Sequence, residues 1–175
     1  MSRFENGFQE AAAAFVLRKN VDAVRFSPEI PESIRKDADR AHERLGRTIS
    51  AYTGNSRAAR AAVAQGSWKC WYTGEALDPS LAATDDPLAP TAEHLRAKSN
   101  GGGDGEDNVF VCARWINSLV SDEPVAVKME VRRKFTEMAR AFPPAEVAGA
   151  RRFLQRKAAA AILRARRTDA VRPQP

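Results

Sequence analysis

Apolar side chains recur at helical spacing at both ends of this 175-residue chain and lose that spacing in its middle. Near the N-terminus Phe8, Ala12, Phe15 and Val16 share one side of a helix predicted over about residues 8–19. Pro28 and Pro31 interrupt the chain. Beyond them Ile34, Ala38, Ala41, Leu45 and Ile49 follow at steps of four, three, four and four, the period of an amphipathic helix with Arg and Asp on its other side. His42 flanks that stripe and reads as a surface or boundary histidine. From about Gly66 to Ser121 tryptophans appear, glycines cluster, and the helical period is absent until after Asn108. Ser121-Asp122 then offers an N-cap and Pro124 a first-turn residue for a helix reaching about Phe142, stopped by Pro143-Pro144. A last Ala/Arg-rich helix is predicted from about Ala145 to Arg167. The expected organisation is a helical extension over 1–65, a central module over 66–122, and C-terminal helices with a basic tail over 123–175.

Composition narrows the class. Hydrophobic residues at 43% and charged residues at 29% describe a globular chain long enough for one good core. No apolar run approaches the roughly 18 residues of a membrane helix. The stretch Ala11 to Leu17 follows Glu5 and Glu10, where a secretory signal would be basic, so the expected location is cytoplasmic, away from membranes. Two cysteines, Cys70 and Cys112, cannot build a disulfide framework or a four-thiolate zinc site, and both are expected as free thiols.

The net charge of +6 favours a polyanionic partner. Residues 146–175 carry eight basic against two acidic side chains, so this tail holds the whole excess. On its helix Arg152, Arg156 and Arg167 fall on one side, with Val147, Ala150, Leu154, Ala158 and Ala161 opposite and Leu163 interrupting the basic side. These three arginines are candidate phosphate contacts, indifferent to base sequence and sensitive to salt. A merely solvated Ala/Arg helix, or one that docks on an acidic protein, is the competing reading.

The chemistry concentrates between residues 90 and 117. Glu93-His94 is followed by the turn Gly101-Gly102-Gly103-Asp104, then by Asn108 and, on a predicted helix, Asn117. Singly, each is an ordinary surface feature; together they form the pattern of HNH nucleases. The segment from Pro90 to Asn117 resembles that family, and Cys70 to Leu77 resembles the stretch that often opens its module, the likeness covering about residues 68–122. The resemblance implies an α+β fold, predominantly helical overall, with a small ββα-metal core flanked by N- and C-terminal helices. It further implies a metal-dependent endonuclease hydrolysing DNA to 5′-phosphate and 3′-hydroxyl ends. Cutting a phosphodiester needs a base for the attacking water and a cation for the leaving oxygen.

On this likeness His94 is the base and Asn108 braces the loop and fixes its ring. Glu93, on the opposite strand face, and Asn117 hold one divalent ion. Arg96 and Lys98 contact the scissile strand. Departures are visible: Thr73 and Trp115 stand where second thiolates of Cys-x-x-Cys pairs would be, so Trp68, Trp71 and Trp115 are expected to pack where structural zinc would sit. No convincing third ligand follows Asn117, since Ser121 and Asp122 match poorly, which suits weakly held Mg²⁺ or Mn²⁺. Two other functions compete: a degenerate nucleic-acid-binding module, and an effector subunit docked through its helical extensions and active only in a complex. The phosphodiester chemistry itself admits RNA as well as DNA. Restriction, phage packaging and anti-phage defence all fit as settings.

Overall fold

A computed structural model describes residues 3–54, 56–141 and 155–165. Its elements are α1 (Arg3–Arg25), α2 (Glu32–Thr53), α3 (Arg57–Gln65), β1 (Pro90–His94), β2 (Val109–Ala113), α4 (Arg114–Val120), α5 (Val125–Ala141) and a last helix, α6, over residues 155–165. Short 3₁₀ turns occupy Pro79–Ala83 and Lys98–Asn100. The fold is mostly helical with one small antiparallel sheet, an α+β composition. No helix among the described residues is long and apolar enough to cross a membrane. Internal contacts divide the chain into residues 1–67 and 68–175.

In the first unit α1 and α2 form a helical hairpin around Ala11, Ala14, Ile49 and Val63, with Phe8, Phe15, Leu45 and Tyr52 against them. Of these the predicted stripes supply Phe8, Phe15, Leu45 and Ile49, whereas Ala11, Ala14, Tyr52 and Val63 stand outside them and the stripe members Val16 and Ile34 are exposed; both helices run beyond their predicted ends. Ion pairs tie the hairpin together: Arg25 bridges Asp22 at 3.0 Å and Asp39 at 2.7 Å, and His42 Nδ1 lies 2.6 Å from Asp22. Burial raises the Asp22 carboxyl, but the Arg25 and His42 bonds outweigh it and leave the pKa below the usual carboxylate range. Ser56 caps α3, its hydroxyl accepting from the Ala59 amide.

In the second unit the strands pair in register from Pro90↔Ala113 to His94↔Val109. Behind them Val111, Ile116, Val120, Val127, Val131 and Phe135 are fully buried. The segment before β1 folds back on itself, with an isolated bridge between Lys69 and Ala76, and its Trp71 amide donates to Val111 in β2. Trp71 stacks on Phe110 with centroids 4.8 Å apart, and Trp115 leans on Phe135 at 6.0 Å. Thr73 makes a turn bond to the Glu75 amide, and both cysteines are buried.

Two local expectations are corrected. Ser121 does not open α5: it ends α4 with φ 38°, its amide returning to Asn117, while the Pro124 carbonyl accepts the first bonds of α5. In α6 the buried residues are Gln155, Ala159 and Leu163, whereas Ala161 is exposed. Spacing of four and eight puts these three on one face, rotated from the predicted one, and Leu163 belongs to the core.

Candidate active site

β1 places its last two residues on opposite sides, as the pleat requires. His94 faces the loop between the strands, its side chain 14% exposed. Its Nε2 lies 2.8 Å from Asp104 Oδ1, and the other oxygen of Asp104 accepts from Lys98 Nζ at 2.8 Å. The carboxylate accepts, so Nε2 is the protonated nitrogen in the neutral ring and Nδ1 keeps its lone pair. Asp104 therefore orients the imidazole through its Nε2.

The loop carrying Asp104 is held by Asn108. Its Oδ1 accepts from the Arg96 amide at 2.7 Å, and its Nδ2 donates to the carbonyls of Arg96 at 3.0 Å and Gly103 at 2.7 Å. The Asn108 carbonyl accepts from the Leu95 amide at 2.8 Å. Asn108 thus braces the loop, and Asp104 rather than Asn108 holds the histidine ring. The turn depends on two glycines: Gly101 has φ 78°, and a Cβ on Gly102 would lie 1.8 Å from the Arg96 carbonyl oxygen. Arg96 and Lys98 are exposed on this loop, with Arg96 Nε donating to the Asn100 carbonyl at 2.8 Å.

On the other face the expected metal ligands have different work. The Glu93 carboxylate is buried, only 2% exposed, with Lys128 Nζ from α5 at 2.6 Å from Oε1. Tyr72 donates its hydroxyl to the same oxygen at 3.2 Å. Lys128 also donates to the His94 carbonyl at 2.8 Å. Burial pushes the Glu93 carboxyl above its ordinary range, and the bonds from Lys128 and Tyr72 offset only part of that. Burial likewise raises the Tyr72 hydroxyl, with the Glu93 charge adding to it, so the phenol stays protonated as a donor. Asn117 uses its Nδ2 to hold β1, donating to Thr91 Oγ1 at 3.1 Å and to the Ala92 carbonyl at 3.0 Å.

These groups do not fit a divalent ion at Glu93. An ion bound at about 2.1 Å from Oε1 would lie within about 4.7 Å of the ammonium. At an effective dielectric of 20 the repulsion between +2 and +1 at that distance is about 7 kcal/mol. Among the described residues no three His, Cys, Asp or Glu side chains gather as a metal-holding group.

Of the expected cationic contacts in the tail, Arg152 and Arg167 lie outside the described residues. Arg156 is exposed, and its guanidinium sits 5.1 Å from the centre of the Trp115 ring. Three contributors escaped sequence reasoning, Tyr72, Asp104 and Lys128, and Tyr72 lay inside the Cys70–Leu77 segment with no role of its own. Asp104 stood in the glycine turn without a role. Lys128 had a signal: it shares a helical face with Val131 and Phe135, where an apolar residue is expected.

Compared with known proteins, the chain matches no family model, no curated protein and no solved structure.

Proposed function

We propose that the β1–β2–α4 unit cleaves a DNA phosphodiester, with His94 Nδ1 as the general base. The observation that carries this reading is the His94–Asp104 pair at the mouth of a loop pinned by Asn108. A water attacking phosphorus gives its proton to Nδ1, and Asp104 stabilises the resulting imidazolium. Lys98 and Arg96, the exposed cations of the loop, engage phosphate oxygens. The leaving 3′-oxygen is protonated from solvent. No step is assigned to an ion on Glu93, because that carboxylate is committed to Lys128.

The test is cleavage of supercoiled plasmid, with a labelled RNA in parallel, by wild type and His94→Ala in Mg²⁺, Mn²⁺ or EDTA. Cutting of DNA that disappears in the variant supports the reading; cutting of RNA alone moves the substrate class. A second reading, a nucleic-acid-binding module without catalysis, is favoured by the Glu93–Lys128 pair. It is supported if DNA is bound and no condition yields a cut.

A further inference from the structure

We propose that Lys128 is a cation built into the chain, taking the place of a divalent ion at Glu93 and fixing the backbone of His94 without any metal. The inference goes beyond phosphodiester chemistry and holds whether or not His94 cleaves anything.

Three observations carry it. The ammonium bonds both members of the Glu93-His94 pair at once, the Glu93 carboxylate at 2.6 Å and the His94 carbonyl oxygen at 2.8 Å. An oxygen cage of a carboxylate and a main-chain carbonyl is what a hard cation takes, and here its occupant is the side chain of the chain's own α5. Next, the site is closed: Lys128 is 0% and Glu93 1% exposed, so nothing from solvent displaces the ammonium without unpacking α5. Last, the remaining group on the carboxylate, Tyr72, is a neutral hydroxyl donor, leaving Lys128 as the counter-charge. Val127 and Val131, its neighbours on α5, are fully buried as well, so the lysine lies on the buried face of that helix.

The role of Lys128 is positioning. It holds the main chain at the end of β1, so the direction in which the imidazole leaves the strand is set when the chain folds. Removing the ammonium leaves a buried carboxylate and carbonyl facing the space it filled, a latent site for Mg²⁺ or Mn²⁺.

The experiment is a titration of the full chain with Mn²⁺ alone, followed by calorimetry and by the electron paramagnetic resonance of the free ion. Wild type and Glu93→Gln should give the same weak binding, and the His94 ring resonances of wild type should be the same in EDTA and in Mg²⁺. Lys128→Ala should gain a Mn²⁺ site that is lost again in Lys128→Ala/Glu93→Gln, and Mn²⁺ should raise its melting temperature while leaving that of wild type unmoved. If Lys128→Ala is unfolded in EDTA, Mn²⁺ should restore its helical circular dichroism, because an ion that binds only the folded state stabilises it. Tight Mn²⁺ binding by wild type that disappears in Glu93→Gln overturns the proposal. So does a Lys128→Ala protein that neither binds Mn²⁺ nor refolds with it. Plasmid cleavage does not enter these readouts, so failure here is distinct from failure of the nuclease reading.

Discussion

Replacing Lys128 by Met keeps the length of the side chain and removes its charge, leaving Glu93 buried without its counter-ion and the His94 carbonyl without its donor. Breaking a buried ion pair by removing one partner costs about 3–5 kcal/mol, because the survivor is an uncompensated charge. For a unit of roughly 100 residues, each kcal/mol moves the melting temperature by about 4–8 °C, so the fall is on the order of 12–40 °C. Glu93→Gln should also destabilise, stranding the ammonium. The double variant Lys128→Met/Glu93→Gln should recover much of the loss, since an uncharged amide can still accept from Tyr72. A coupling of about 2–3 kcal/mol is expected across the cycle.

The assay is urea unfolding of the four proteins at pH 7, repeated at lower pH. Glu93 already has a raised folded-state pKa, so it contributes stability that is lost as pH rises from the ordinary carboxylate value toward the raised one. Without Lys128 the pKa rises further and the variant loses more over that window. The gap between wild type and Lys128→Met should therefore narrow as pH falls through the carboxylate range. A cost below about 1 kcal/mol, as for an exposed pair, would refute the reasoning. Single effects that add to within about 0.5 kcal/mol would do the same.

Other outcomes follow from the same geometry. His94→Ala should lower cleavage by about 10²–10⁴-fold with DNA binding retained, and Asp104→Asn should lower it without abolishing it; gel-shift and nicking assays run side by side separate the two effects. Gly102→Ala forces a methyl group into the Arg96 carbonyl and should cost at least about 1–3 kcal/mol in thermal unfolding, with the Arg96 amide exchanging faster than in wild type. Gln155 is fully buried with neither end of its amide hydrogen-bonded among the described residues, so Gln155→Leu should stabilise by about 1–2 kcal/mol; a destabilised variant would show that the amide has a partner.

Where the sequence carried periodic information, the fold was legible. The stripe from Ile34 to Ile49 places α2, and the alternation of Glu93 and His94 sends one side chain inward and one toward the loop. The glycine turn and Asn108 announced a tight, side-chain-braced return between strands. α6 was harder, because alanine covers most of its positions and a stripe of small residues hardly distinguishes one face from another; Gln155 and Leu163 were the informative positions. The partners at the site were hidden for a different reason. Spacing places residues on a face but does not say what lies across from it, and Lys128 reaches Glu93 from a separate helix. Asp104 was hidden by its neighbours, since an acidic residue after three glycines is ordinary turn composition.

The bond from Lys128 to the His94 carbonyl also sets how small a transplantable piece of this protein can be. Boundaries drawn from the resemblance alone would excise residues 68–122 and graft them onto another scaffold. Such a graft would carry an inward-facing carboxylate with no counter-charge and a strand end with nothing to hold it. The portable cassette must extend through α5, to Ala141, so that the helix supplying the ammonium travels with the strand that needs it.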